Sequence, residues 1–190
     1  AEKAMAARKW DEALGLYNRA AGHAGNDTDM RTRIQARTEE ITVRKQVDKT
    51  LADGDQLLGE GKYDQALTEY KKLLDYANKL RDALKPPPAA PVNPRGPRGM
   101  PPPPVQGSTL PKVPVSVIQE IENAAKERIR ETNYQRFVFY ARGDKDRRQN
   151  RSALGWVNQA LDQKVTPEAQ KLKREIEEAI EQEEAAGAKS

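Results

Sequence analysis

Twelve of the thirteen prolines in this 190-residue chain lie in one stretch, residues 86–114, which includes Pro86-Pro87-Pro88 and the run from Pro101 to Pro104. Proline has no amide hydrogen to donate, and it disfavours the helical conformation in the residue before it. We therefore predict a polyproline-II-like or disordered spacer over residues 86–114. The spacer separates two segments, residues 1–85 and residues 115–190.

Both segments show apolar side chains at the three- and four-residue spacing of amphipathic helices. In residues 1–85 this spacing predicts first the end of a helix, a tight turn near Arg8-Lys9 and a helix up to about residue 24. A long helix over residues 29–59 follows, capped by Asp27 or Thr28. After a break at residues 59–62, a further helix is predicted over residues 63–84. In residues 115–190 it predicts a helix over residues 116–142, a break at Gly143-Asp144, a helix over residues 146–163, and a helix over residues 167–185 capped by Thr166. No strands are expected, since no run of alternating β-branched residues occurs.

The residue types exclude several chemistries. The chain has no cysteine and a single histidine, His23, and no nucleophile or second ligand stands at a usable spacing from it. We therefore predict no catalytic site, no metal site and no cofactor. No stretch approaches the roughly 18 apolar residues of a membrane span, and nothing in the sequence indicates a compartment.

Charge is nearly balanced in the two helical segments. Residues 1–85 carry 16 basic and 15 acidic side chains, residues 115–190 carry 14 of each, and the spacer carries 3 basic side chains and no acidic one. Phosphate binding favours a surface of one sign. Nucleic acid is therefore a less favoured partner than protein.

Residues 8–17 and residues 61–70 form an internal repeat. Each reads aromatic, two polar residues, Ala-Leu, two further residues and Tyr, in Trp10 to Tyr17 and in Tyr63 to Tyr70. A weaker third copy begins at Ser152-Ala153-Leu154 and is preceded by Phe137 and Tyr140. The small alanine would let two helices approach closely, while the aromatic residue and the leucine fill the groove between them.

This pattern resembles the tetratricopeptide repeat family, whose units pair two antiparallel helices. The match is good over residues 50–77 and partial over residues 1–21, but the helix over residues 29–59 is overlong for the family. The resemblance implies an all-α fold of helix-turn-helix repeats, an open α-solenoid that holds protein segments. The residues that would form its repeat core are Trp10, Ala13, Leu14, Tyr17, Gly54, Gly61, Tyr63, Ala66, Leu67, Tyr70, Leu74, Phe137, Tyr140, Ala153, Leu154 and Ala160.

The function predicted from these features is a non-catalytic protein-interaction or scaffold module within a larger assembly. Repeat arrays need about three units to bury a continuous core, and neither segment clearly contains three. The segments are therefore expected to dock on each other, on a missing N-terminal portion, or on a larger assembly. On this prediction, a fragment of residues 1–85 alone would not unfold cooperatively.

Two sharper hypotheses remain beside this one. The cations Arg142, Lys145, Arg147, Arg148 and Arg151 follow several aromatic residues, a combination that can hold phosphates and stack bases, although the simpler interpretation is a charged turn after core aromatics. In the spacer, Arg98 followed by Pro101 and Pro104 fits a polyproline II ligand for an aromatic groove, although proline tracts also serve as plain spacers.

Overall fold

The computed structural model of the chain describes residues 1–85 and 110–187. Most of these residues are helical, and no strand occurs among them, so the predicted all-α class is confirmed. Along the described residues the helices are α1 (Glu2–Ala6), α2 (Trp10–His23), α3 (Thr28–Gly59), α4 (Tyr63–Ala83), α5 (Val115–Asp146), α6 (Asn150–Gln163) and α7 (Pro167–Gly187). Arg98, Pro101 and Pro104 lie outside the described residues, as does most of the predicted spacer.

Side-chain caps fix two of the helix starts. The Met30 amide donates to Asp27 Oδ1 at 2.9 Å, so Asp27 rather than Thr28 caps α3. The Ala169 amide donates to Thr166 Oγ1 at 3.1 Å, directly before the helix that Pro167 opens. Each cap satisfies an amide that has no partner within its own helix.

The predicted break at Gly143-Asp144 is wrong. Helix α5 continues through both residues to Asp146, and α6 begins only at Asn150. A glycine inside a helix costs only about 1 kcal/mol. Contacts of the residues before and after Gly143 outweigh that cost. Ala141 is fully buried, and the Asp144 carboxylate accepts hydrogen bonds from Ser152 and Trp156 of α6.

The last residues of the predicted spacer pack against α3. Val113 is buried, and the Lys112 amide donates to Glu39 Oε2 at 2.9 Å. Residues 110–114 are thus held in place before α5 begins at Val115.

The described chain forms two compact units, and each takes residues from both helical segments. Unit 1 comprises the described residues of 1–49 and 74–122. One of its core clusters contains Ala4, Ala13, Tyr17, Ala24, Ile34 and Ile41. An ion pair between Arg44 and Glu120, at 2.8 Å, connects the two segments within this unit.

Unit 2 comprises the described residues of 50–73 and 123–190. One of its core clusters contains Tyr134, Val138, Ala141, Ala153, Val157, Ala160, Ala169, Leu172 and Ile176. Ion pairs between Arg128 and Asp55, at 3.0 Å, and between Arg136 and Asp64, at 2.6 Å, connect the two segments in this unit.

Three of the interhelical turns share one geometry. Arg8, Gly61 and Arg148 have φ angles of 55°, 73° and 59°, in the left-handed region. In each turn this residue's amide donates to the carbonyl three residues back, and the next amide donates to the carbonyl five residues back. That pair of hydrogen bonds is the Schellman motif, which satisfies carbonyls at the end of the preceding helix.

The helix after each turn buries the same positions. An alanine that is 0% exposed lies five residues beyond the left-handed residue in all three: Ala13, Ala66 and Ala153. Nine residues beyond it lie Tyr17, Tyr70 and Val157, which are also buried. The Tyr17 hydroxyl donates to Glu2, and the Tyr70 hydroxyl donates to Asp55. The first two helical hairpins, α1–α2 and α3–α4, are therefore each linked by a tyrosine–carboxylate hydrogen bond between residues fifteen positions apart.

Candidate protein-interaction surface

The predicted repeat-core residues divide into three groups by exposure. Buried ones are Ala13, Tyr17, Gly54, Ala66, Leu67, Tyr70, Ala153 and Ala160. Half-buried ones are Trp10, Leu14, Tyr63, Leu74, Phe137, Tyr140 and Leu154. Gly61 is exposed, because it lies in the turn before α4 rather than in a helix.

Several of the half-buried rings meet in unit 2 and form a continuous run. Tyr63 contacts Phe139 with ring centroids 5.8 Å apart, Phe139 lies 5.9 Å from Tyr140, and Tyr140 lies 5.2 Å from Trp156. Phe137 completes the run at 5.9 Å from Trp156. We call these five residues, from the start of α4, the C-terminal half of α5 and the middle of α6, the aromatic surface.

Phe139 is the most exposed member of the aromatic surface. Its side chain is 59% exposed, whereas Tyr63, Phe137, Tyr140 and Trp156 are half-buried. The sequence holds two Trp, six Tyr and two Phe, so half of all aromatic side chains lie in this one run. A single exposed apolar side chain is ordinary, but Phe139 also contacts two half-buried rings, Tyr63 and Tyr140, so the exposed apolar area extends beyond one residue.

Polar contacts hold two of the five rings, Trp156 and Phe137. The Trp156 Nε1–H donates to Asp144 Oδ2 at 3.0 Å, and the Ser152 hydroxyl donates to the same oxygen at 2.6 Å. The Arg136 guanidinium lies 5.0 Å from the centre of the Phe137 ring and pairs with Asp64. Because these contacts hold Trp156 and Phe137, a partner would lose little side-chain entropy from these two residues on binding.

From the sequence, Phe139 was predicted only as one of the aromatic residues beside the basic cluster, with Tyr134, Phe137 and Tyr140, and not as an exposed anchor for a protein partner. The missed signal is the run Phe137-Val138-Phe139-Tyr140 in one helix. Helical residues turn by about 100° each, so four consecutive apolar residues cannot all face one core. Val138 faces the core with Tyr134 and Ala141, which leaves Phe139 on an exposed side of α5.

Carboxylates pair with most of the predicted basic cluster. Arg142 pairs with Glu168, Lys145 with Glu175, Arg151 with Glu184 at 3.3 Å, and Arg147 with Asp144 at 3.9 Å. The hydrogen bond from Lys145 lowers the pKa of Glu175. Arg148 is exposed in the left-handed turn position before α6. The cluster is therefore not the one-signed face that phosphate binding favours.

The acidic partners come chiefly from α7, and their spacing was visible in the sequence. Glu168 and Glu175 lie seven residues apart, which is two helical turns, so they project from one side of α7. The sequence could not show that this side meets the cations of α5.

Unit 1 contains a groove of about 600 Å³ whose lining includes Tyr17, Met30, Ile34 and Pro114. Two of its charged residues, Arg37 and Glu40, form an ion pair with each other at 2.9 Å.

Across residues 1–85 and 110–187, no group of three or more acidic or histidine side chains is placed to hold a metal ion. None of the helices described in those ranges is both long and apolar enough to span a membrane.

Comparisons of the chain with protein-family models, with curated proteins and with solved structures found no match.

Proposed function

We propose that this chain is a non-catalytic protein-interaction or scaffold module that works as a subunit of a larger assembly. The observation that carries the proposal is the aromatic surface of unit 2, with Phe139 exposed among four further rings. Aromatic residues and arginine are enriched at protein interfaces relative to the rest of the protein surface, whereas Lys, Glu and Asp are depleted there.

The energetics of interfaces support the same proposal. A few buried aromatic and arginine side chains supply most of the binding energy in a typical interface, and they cluster near its centre. In the aromatic surface, Phe139 is the ring with the most area left to bury, and the half-buried rings around it would exclude water from the contact.

The three equivalent hairpins are proposed to be units of the kind found in tetratricopeptide repeat proteins. Their shared Schellman turns and fully buried alanines support that assignment. The first hairpin, α1–α2, lies in unit 1, whereas unit 2 contains the parts of the second and third hairpins that adjoin their turns, within residues 50–73 and 123–163. Neither unit then has the three repeats that usually bury a continuous core, which is why we propose a larger assembly.

The test is affinity capture from native extract with the intact chain and two variants. Phe139→Ala removes the exposed ring, and Val165→Ala is the matched control, since Val165 is 70% exposed and is no part of the aromatic surface. We expect one stoichiometric set of proteins to be captured by the wild type and the control. The Phe139→Ala variant should recover about one tenth as much, as is typical when a central interface residue is truncated.

A nuclease treatment of the extract separates this proposal from a nucleic-acid function. The captured set should be the same with and without nuclease. Loss of the set on nuclease treatment, with loss again on replacement of Arg147 and Arg148 by alanine, would instead favour the ribonucleoprotein hypothesis. Equal capture by the Phe139→Ala and Val165→Ala variants would reject the aromatic surface as the binding site.

A further inference from the structure

We propose that the groove of unit 1 binds a short segment of another protein that combines large apolar side chains with acidic ones. This inference goes beyond the proposed function, because it assigns a second binding surface, lying in unit 1, and specifies the chemistry of its partner. Two properties of the groove carry it: an apolar lining that includes an exposed methionine, and an exposed arginine that is unpaired within the described part of the chain.

The apolar lining comes from separate elements of unit 1. Met30 and Ile34 belong to α3, Tyr17 belongs to α2, and Pro114 lies directly before α5. Ile34 and Tyr17 are each 9% exposed, whereas Met30 is 47% exposed. A groove of about 600 Å³ has room for several side chains. Covering Met30 with an apolar side chain of a partner would remove apolar surface from water, which is the main favourable term in association.

The α3 side of the groove alternates apolar and basic residues. Met30, Arg33, Ile34 and Arg37 all line the groove, and their spacing of three, one and three residues places them on one face of the helix. Seven residues of α-helix rise about 10 Å, which is the length of about three residues of extended chain. A segment that matches this face is therefore short, and it presents both apolar and acidic side chains.

The two carboxylates in the lining already have partners. The side chain of Glu40 is 8% exposed, and its two oxygens accept hydrogen bonds from Arg37 and Arg44, each at 2.9 Å. Glu2 accepts a hydrogen bond from the Tyr17 hydroxyl and lies 3.6 Å from Arg37. Because cations neutralise both carboxylates, they would oppose an acidic partner only weakly.

Arg33 is the charge that selects the partner. Its side chain is exposed, and among residues 1–85 and 110–187 it makes no hydrogen bond and no ion pair. A guanidinium group matches the geometry of a carboxylate, to which it can donate two parallel hydrogen bonds. An exposed ion pair contributes little affinity by itself. The apolar contact would therefore supply most of the affinity, while Arg33 favours acidic segments over basic ones.

The experiment selects binders of the full chain from a phage-displayed library of random short peptides, so that no peptide sequence is assumed. We expect the enriched peptides to combine large apolar residues with Asp or Glu. Fluorescently labelled copies of these peptides are then titrated with the chain and its variants. Arg33→Glu should weaken binding about tenfold. Arg31→Glu is the matched control and should change it by less than about twofold, because Arg31 is exposed in the same helix and does not line the groove.

A charge exchange and a truncation sharpen the test. A peptide copy with its acidic residues replaced by lysine should bind the Arg33→Glu variant more tightly than the wild type. Met30→Ala should weaken binding of the original peptide about fivefold. Leu84→Ala should leave it unchanged, because Leu84 is 38% exposed in the same unit and does not line the groove.

Three results would overturn the assignment: no enriched peptide, enrichment of basic rather than acidic residues, or equal binding by the Arg33→Glu and Arg31→Glu variants. Peptides that lose binding on Phe139→Ala but not on Arg33→Glu would also overturn it, since they would occupy the aromatic surface instead. Protein capture through Phe139 is measured separately, so failure of peptide binding in the groove and failure of the proposed function are distinguishable.

Discussion

At the scale of single residues, Gly54 in α3 packs directly against the ring of Tyr70. A β-carbon on this residue would lie within 3.0 Å of three atoms of the Tyr70 ring, and Tyr70 is 0% exposed. The ring is also held by its hydroxyl, which donates to Asp55 Oδ1 at 2.6 Å. Gly54 and Tyr70 are thus a matched small-and-large pair, and the corresponding residues of the third hairpin are Ala141 and Val157, both fully buried.

We therefore expect Gly54→Ala to lower the free energy of unfolding by about 1 to 3 kcal/mol, as overpacked core substitutions usually do. Gly59→Ala is the control in the same helix, because a β-carbon there would meet nothing within 4 Å. That variant should be as stable as the wild type or slightly more so. Urea denaturation measures both, and an equal effect of the two substitutions would show that the contact with Tyr70 does not constrain this position.

The raised pKa of Tyr17 predicts how the stability of the fold changes at alkaline pH. Burial, followed by the hydrogen bond to Glu2, raises the pKa of Tyr17 from 10.0 to about 12. Between these values the folded chain keeps a proton that the unfolded chain has lost. The stability that this proton provides is complete below pH 10 and is lost as the pH rises towards 12.

The free energy of unfolding should therefore fall between pH 10 and pH 12, and it should fall less steeply in a Tyr17→Phe variant. Tyr70, whose pKa is also raised, remains in both proteins, so only the difference between them reports on Tyr17. Parallel pH profiles of the wild type and the variant would contradict this assignment.

At the scale of helices and turns, the residue in the left-handed conformation affects the stability of each hairpin. Gly61 adopts its φ of 73° without strain, whereas Arg8 and Arg148 hold φ angles of 55° and 59° that disfavour side chains. The three turns should thus differ in how a substitution at this position changes stability.

Gly61→Ala is expected to destabilise the chain by about 1 kcal/mol, and Arg148→Gly to stabilise it by up to about 1 kcal/mol. Arg147→Gly is the control, because Arg147 does not have a positive φ and gains nothing from glycine. Thermal unfolding compares the three variants. Stabilisation by Arg147→Gly equal to that by Arg148→Gly would mean that relief of the left-handed conformation is not the cause.

Sequence periodicity predicted α3, α4 and α7 well, and it predicted the end of α5 and the left-handed turn before α6 poorly. The bounds of α3, α4 and α7 lie within two residues of those predicted, since apolar spacing and the Asp27 and Thr166 caps are local signals. The break at Gly143-Asp144 was wrong because the Asp144 contacts to α6 are tertiary. Similarly, the exposure of Phe139 and the pairing of the basic cluster with α7 depend on which helix faces meet, which spacing within one helix does not determine.

At the scale of the whole molecule, the two segments on either side of the proline-rich stretch depend on each other. Unit 1 includes Val117, Ile118 and Ile121 from the second segment, all buried, together with residues 1–49. Unit 2 includes residues 50–73 from the first segment. Neither segment contains a complete unit.

Fragments test this dependence. Residues 1–85 alone should show no cooperative unfolding transition, because they lack the buried residues that α5 contributes to unit 1. Mixing them with a fragment of residues 110–190 should restore helical signal and a cooperative transition, both measured by circular dichroism. A cooperative transition of residues 1–85 alone, at the temperature of the full chain, would show that the first segment folds independently.

The central claim is that Phe139 lies at the centre of a protein contact, and photo-crosslinking tests it most directly. A photoreactive phenylalanine analogue replaces Phe139 in one variant and Val165 in a second, since both side chains are exposed and only the first belongs to the aromatic surface. After irradiation in native extract, we expect one discrete crosslinked protein from position 139 and none from position 165. The same crosslinked products from both positions, or none from position 139, would contradict the claim.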